Sequence, residues 1–142
     1  MIVVPDAVVA QIRAEAEAAY PNECCGLLIG WRDAAQTVVN RARPSPNVTA
    51  GDPTETFEVS AQLRFDLMRE LEGARETIVG HYHSHPDGPP DPSAQDLEQA
   101  WEPDLIWLIV AVDGGRARRP TAHAIDADRR GFRPIPLLSE PL

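Results

Sequence analysis

The stretch GHYHSHPDGPPDPSAQD, from Gly80 to Asp96, puts histidine at positions 81, 83 and 85 and then breaks the chain with Pro86, Pro89, Pro90 and Pro92. A spacing of two brings side chains to one face in an extended strand. The segment therefore predicts a strand presenting His81, His83 and His85 together, while Tyr82 and Ser84 face away. A straight strand spreads the three over roughly 13 Å at about 3.3 Å per residue, whereas two imidazoles approach one zinc ion across only about 4 Å. A shared ion takes two of them and leaves one out unless the strand bends. The nearest candidates for a third ligand are Asp87, Asp91 and Asp96, and the stiff proline turn can return a carboxylate to the histidines. Asp96 lies one turn into the next predicted helix, where the backbone fixes its place. Ser93-Ala94-Gln95-Asp96 is equally close to a capping box, a purely structural device. On chemistry alone the metal site and the plain capped helix both stand.

At 142 residues, with 43% hydrophobic and 25% charged residues, the chain fits one domain, 1–142, with a single core. The 14 prolines predict rigid loops. No apolar run reaches about 18 residues, and MIVVPDAVVA lacks the basic start and cleavage site of a signal peptide, so the expectation is a cytoplasmic protein with no membrane attachment. Asn47-Val48-Thr49 matches a glycosylation acceptor, but without a secretory signal it carries no weight. Adjacent Cys24 and Cys25 would make a strained disulfide closing no useful loop, which predicts reduced thiols. A net charge of -9 excludes a general binder of nucleic acid or acidic membranes. The arginines near the C-terminus, Arg116, Arg118, Arg119, Arg129, Arg130 and Arg133, read as solvated.

Periodicity predicts a strand in MIVVP and a helix in DAVVAQIRAEAEAAYP, with Asp6 as N-cap and Pro21 as stop. CCGLLIGW and QTVVNRA read as a hairpin turning near Asp33, and RPSPNVTAGDPTE as a long loop. TFEVS reads as a strand. SAQLRFDLMRELEGA reads as a helix with Leu63, Leu67, Met68 and Leu71 on one face. Ser93 to Ala100 forms the third helix, LIWLIVAVD a buried strand, and TAHAIDAD and FRPIPL the last two strands. Strands mixed with about three helices indicate a mixed α/β or α+β sheet covered by helices.

Glu23, then His83-Ser84-His85-Pro86, then Ser93-Ala94-Gln95-Asp96 resembles the signature of the JAMM (JAB/MPN-type) zinc metalloprotease family, and the chain looks like a short prokaryotic member. PNECCGLLIG is similar to the family's Pro-x-Glu-x-Cys-Gly segment, and Asn40 and Phe57 fall where the family commonly has Asn and an aromatic. The resemblance runs from the first helix to about Asp113. It implies a curved sheet with an MPN/JAB-like, cytidine-deaminase-like core, and one Zn2+ per chain held by His83, His85 and Asp96 with water in the fourth place. It further implies Glu23 as general base, and Ser93 as both helix cap and donor to the developing oxyanion. His81 reads as a neighbour with a structural role. Cysteine catalysis through Cys24 or Cys25 is disfavoured, because strand cysteines of this kind are usually buried and inert.

Family members cut bonds following the Gly-Gly tail of ubiquitin-like proteins, and short bacterial members act on sulfur-carrier or ubiquitin-like proteins. The implied function is a zinc isopeptidase or peptidase acting on such a partner, with no nucleic acid and no membrane involved and a homodimer left open. A catalytically silent MPN-type interaction module and a zinc amidohydrolase of small molecules are the alternatives. The loop from Arg43 to Glu55 lacks the long insertions of ubiquitin-specific members, and an extended glycine tail could pair with a sheet edge beside it.

Overall fold

A first strand, β1 (Ile2–Pro5), runs without a break into helix α1 (Asp6–Ala19). Val8, Ile12 and Ala16, spaced by four, make the buried stripe of that helix. Pro5 rather than Asp6 occupies the N-cap, and no side chain caps the helix. Asp6 is instead the acid of the first turn, where the helix dipole favours it, and accepts a hydrogen bond from Ser139. The computed structural model describes residues 1–100, 102–126, 128 and 131–141.

Strands β2 (Cys25–Arg32) and β3 (Thr37–Ser45) form the expected antiparallel hairpin. Asp33 Oδ1 closes its turn by accepting from the N–H groups of Ala35 and Gln36 at 2.9 and 3.0 Å. β3 continues into the segment expected to be loop, with Arg43, Pro44 and Ser45 paired to Leu27, Gly26 and Cys25. The expected strand TFEVS is reduced to an isolated bridge between Asn47 and Val59. The Asn47 side chain takes the backbone groups a ladder would use, donating to Thr56 O at 3.0 Å and accepting from Glu58 N at 3.0 Å. Helix α2 (Ala61–Glu70) is capped by Ser60, which accepts from Leu63 N. Leu67 and Leu71 are buried beneath it, whereas Met68 is 57% exposed, so the apolar face is a narrower stripe than the sequence suggested.

Strand β4 (Thr77–Pro86) carries the histidines and lies centrally, antiparallel to β2 and parallel to β5 (Ile106–Asp113). Helix α3 (Ala94–Glu98) is shorter than expected. The short β6 (Arg116–Ala117) pairs with β5, and β7 (Thr121–Ile125), β8 (Phe132–Ile135) and β9 (Leu137–Glu140) follow. TAHAIDAD was expected to be strand through Asp128; β7 stops at Ile125, and Ala127 lies outside the described residues. The sheet order is β8-β7-β5-β4-β2-β3-β1-β9. Its two ends, β8 and β9, are separated in sequence by Pro136 alone, so the sheet must curl until its edges meet, close to a barrel. The expected mixed, curved α+β architecture is the one observed.

The largest core cluster joins α1 to one face of the sheet through Ile2, Val4, Val8, Ile12, Leu28, Tyr82, Leu108 and Val110. Leu27, Ile29, Leu67 and Leu71 form a second cluster, and Cys25, Phe57, Trp107 and Ile125 a third. Among the described residues, no helix is long and apolar enough to cross a membrane.

At Gly80, opposite Ile106, β4 and β5 approach so closely that a Cβ would lie 2.3 Å from Ile106 O. A backbone carbonyl in a central ladder cannot move aside. Gly80→Ala is expected to lower unfolding free energy by about 2 kcal/mol or more, measured by urea denaturation.

Candidate metal centre

Side chains of β4 alternate as the spacing requires. Tyr82 points toward α1, where its hydroxyl donates to Glu15 Oε1 at 2.6 Å, while the histidines occupy the opposite face. His83 and His85 are buried, and their Nε2 atoms stand 3.0 Å apart. Asp96 Oδ2 lies 3.1 Å from His85 Nε2 and 3.4 Å from His83 Nε2. Donors about 2.1 Å from a tetrahedral ion stand about 3.4 Å apart, so this set is close to the spacing zinc requires. His81 stays out of the group. Its ring meets the edge of Trp107 at 4.2 Å, its centroid is 6.4 Å from that of His83, and burial pulls its pKa down to about 3.

His85 Nδ1 is 2.8 Å from the carbonyl of Pro89. A carbonyl only accepts, so Nδ1 carries hydrogen, and Nε2 faces the other donors. Such a bond from the far ring nitrogen to a carbonyl is the usual means of fixing a metal-binding imidazole. Burial opposes the charged forms throughout the site. It holds His83 below its ordinary value, but His85 is raised on balance by Asp96 and the Pro89 carbonyl. Burial likewise opposes ionisation of Asp96, yet the hydrogen bonds of His83 and His85 hold its carboxyl well below the usual carboxylate range. Two imidazole nitrogens facing an ionised carboxylate need a proton or a cation among them. This donor set, with one position left for water, fits a zinc ion.

Glu23 offers a second carboxylate to the same pair. Donor atoms of Glu23, His83 and His85 all lie within 4.8 Å of one another. Glu23 is 5% exposed, and its Oε1 has no hydrogen-bond partner among the described residues. Burial pushes its pKa up to about 8, with His85 pulling it down and Asp96 pushing it up.

The cap and the metal-site geometry turn out to share atoms. Ser93 Oγ accepts from Asp96 N at 3.1 Å, and Asp96 Oδ2, the oxygen that faces the imidazoles, accepts from Ser93 N at 2.8 Å. The proline turn is tied to β7 by a hydrogen bond from Thr121 Oγ1 to Pro90 O at 2.9 Å. Phe57 stacks on His83 at 4.2 Å and 16°, as a partner of the site. Asn40, by contrast, is exposed and donates to Glu76. The asparagine that touches the site is Asn47, set aside in the sequence as a glycosylation pattern: its Nδ2 donates to Glu23 O at 3.3 Å. Its signal was the turn chemistry of Asn before Thr49, whose N–H it accepts at 3.2 Å. His123 was also missed; it is buried behind the turn, with Nε2 2.9 Å from Thr121 Oγ1.

Glu23, Thr54, Glu55, His85, Pro89 and Ser93 line a cleft of about 290 Å³. A larger cavity of about 510 Å³ lies on the His81 side, floored by Leu27, Phe57 and Trp107. Cys24 and Cys25 are buried free thiols, pushed by desolvation up to about 11 and about 12. Neither is a nucleophile at neutral pH.

A curled mixed sheet with His-x-His at a central strand end, facing a capped Asp, defines a protein of the JAB/MPN class. The chain belongs to the family of prokaryotic homologs of the JAB domain, whose sequence profile matches residues 5–124. A desampylase from Haloferax volcanii is 37% identical over 123 residues, covering 87% of this chain and 84% of its own length. A probable TtuB-protein conjugate cleaving protease from Thermus thermophilus is 30% identical, covering 82% of this chain and 74% of its own. A CysO-cysteine peptidase from Mycobacterium tuberculosis is 29% identical, covering 82% and 73%. The solution structure of a Desulfitobacterium hafniense protein superposes with a TM-score of 0.86 at 28% identity, covering 100% of this chain and 94% of that one. A JAB1/MPN domain protein from Archaeoglobus fulgidus shares the fold, with a TM-score of 0.62 at 19% identity and 98% of each chain covered. The chain is accordingly a hydrolase of the peptidase type.

His81→Gln is expected to retain about one zinc per chain, whereas His83→Ala and Asp96→Ala lose it. Elemental analysis after dialysis against trace zinc measures the difference.

Proposed function

We propose that residues 1–142 form a single zinc-dependent isopeptidase and peptidase domain. It hydrolyses the amide bond after the C-terminal Gly-Gly of a ubiquitin-like or sulfur-carrier protein, in the cytoplasm. The observation that carries this reading is the convergence of His83 Nε2, His85 Nε2 and Asp96 Oδ2 between 3.0 and 3.4 Å, with Glu23 facing the same pair. The names of the relatives support the substrate, since they describe cleavage of a TtuB-protein conjugate and of CysO-cysteine. Two free thiols agree with a reducing compartment.

His83, His85 and Asp96 would hold the zinc ion, which when bound supplies Lewis acidity toward a carbonyl oxygen and a water. Glu23 accepts a proton from the attacking water and passes it to the departing amine. Burial raises the Glu23 carboxyl to about 8, and the positive charge of a bound cation would favour the ionised form that accepts the proton. Ser93 Oγ is occupied as an acceptor by Asp96 N–H, so its hydroxyl hydrogen remains to donate to the oxyanion growing on the scissile carbonyl. The cleft is small, and glycines without side chains suit it, because their backbone can approach the walls closely.

The test uses zinc-loaded protein and a ubiquitin-like carrier bearing a C-terminal extension after Gly-Gly. Glu23→Gln is expected to keep zinc and lose about 10²–10⁴ in kcat, and Ser93→Ala to lose about 10²–10³. Treatment of the folded protein with a thiol-alkylating reagent should leave the rate unchanged, because both thiols are buried. Equal cleavage by wild type and Glu23→Gln rejects the mechanism, and a wild type that binds zinc without cleaving any such carrier rejects the substrate class.

A further inference from the structure

Ser84 lies between the two histidines in sequence but on the opposite face of β4, and it is fully buried. Its N–H donates to Cys24 O at 3.1 Å, continuing the antiparallel pairing one step beyond Cys25 and His83. The return bond is made by a side chain. Cys24 N–H donates to Ser84 Oγ at 2.8 Å, where a continuing ladder would use a carbonyl. Here the chain leaves the sheet, and Glu23 N–H turns away to Pro53 O at 2.7 Å. Alternation then sets direction. Cys24 packs into the α1-side core and Cys25 with Phe57 and Trp107, so Glu23 shares the histidine face with Cys25.

We propose that Ser84 is a positioning residue for Glu23: by fixing the Cys24 amide, its hydroxyl sets where the Glu23 carboxylate stands relative to His83 and His85. The inference rests on Glu23 as the proton carrier. Removing the hydroxyl leaves the buried Cys24 N–H without its partner, and the backbone moves to find another, carrying Glu23 with it. His85 and Asp96 are held by other bonds, His85 donating to Pro89 O and Asp96 accepting from Ser93 N, and do not share that path.

The experiment compares Ser84→Ala, Ser84→Thr, Glu23→Gln and the double variant Ser84→Ala with Glu23→Gln. It combines carrier cleavage, zinc content and amide hydrogen exchange. Ser84→Ala is expected to keep its zinc and the slow exchange of Leu28, to exchange the Cys24 amide about tenfold faster, and to lower kcat by about 10²-fold with KM nearly unchanged. Ser84→Thr, which keeps the hydroxyl, restores most of the rate. The double variant is no slower than Glu23→Gln alone, because Ser84 acts through Glu23. Unchanged exchange at Cys24, loss of zinc in Ser84→Ala, a kcat close to wild type, or losses that multiply in the double variant each overturn the proposal. If Ser84→Ala does not fold, Ser84→Cys replaces it, with a weaker acceptor and an intermediate loss expected; a rate equal to wild type overturns the proposal. Cleavage by Glu23→Gln at the wild-type rate would instead remove the proton-carrier reading beneath it.

Discussion

Two imidazole nitrogens 3.0 Å apart, with a carboxylate oxygen 3.1 and 3.4 Å from them, form an arrangement that a protein interior resists. Electron pairs face one another in a low dielectric, and only positive charge in their midst relieves them. The framework must therefore hold them by force of geometry. β4 is locked between β2 and β5, the turn that follows it contains four prolines with Pro86, and the helix that brings Asp96 begins with its own carboxylate hydrogen-bonded to its cap. Every one of these devices stiffens the approach of one donor to another.

The histidine strand also divides its labour by face. One side carries the imidazoles, stacked by Phe57 and flanked by Trp107; the other carries Tyr82, bonded to Glu15 of α1, and Ser84, bonded to Cys24. The back of the strand is thereby tied to the core while its front carries the imidazoles. The loop before α2 is fastened the same way, with Asn47 joined to Glu23, Thr56 and Glu58. Stiff attachments on both sides of Glu23 leave it little freedom to wander from the pair it faces.

Period-two histidines, the proline punctuation and the capped helix were legible because each is local, and local spacing determines which side chains share a face. Spacing alone also indicated that one histidine of three stands apart unless the strand bends; the family resemblance pointed to His81, whose ring centroid is 6.4 Å from that of His83. Glu23 was visible only through family resemblance, since a glutamate at the end of a helix has no local mark of being brought against a strand sixty residues on. Asn47 escaped because its partners are backbone groups on other segments, and His123 because its hydroxyl partner, Thr121 on the same strand, gives no sign in the sequence of nearness to the site. TFEVS misled through its β-branched and aromatic content, where an asparagine side chain had replaced the neighbouring strand. Met68 misled because helical spacing says which residues align but not how wide a stripe the sheet will cover.

Residues 2–5 pair in parallel with residues 137–140, so β1 gains this neighbour only once β9 has been synthesised. Glu23, His83, His85 and Asp96, with the strands β2, β4 and β5 and the helix α3 that frame them, are all complete by Asp113. The chemistry of this molecule is thus assembled early, from segments close in order, while the seam is sewn late across nearly its whole length. Closing so long a loop is slow, and until it happens the outer edge of β1 lies open to pairing with another nascent chain. The vulnerable moment in the making of this domain falls between the gathering of its donors and the arrival of β9.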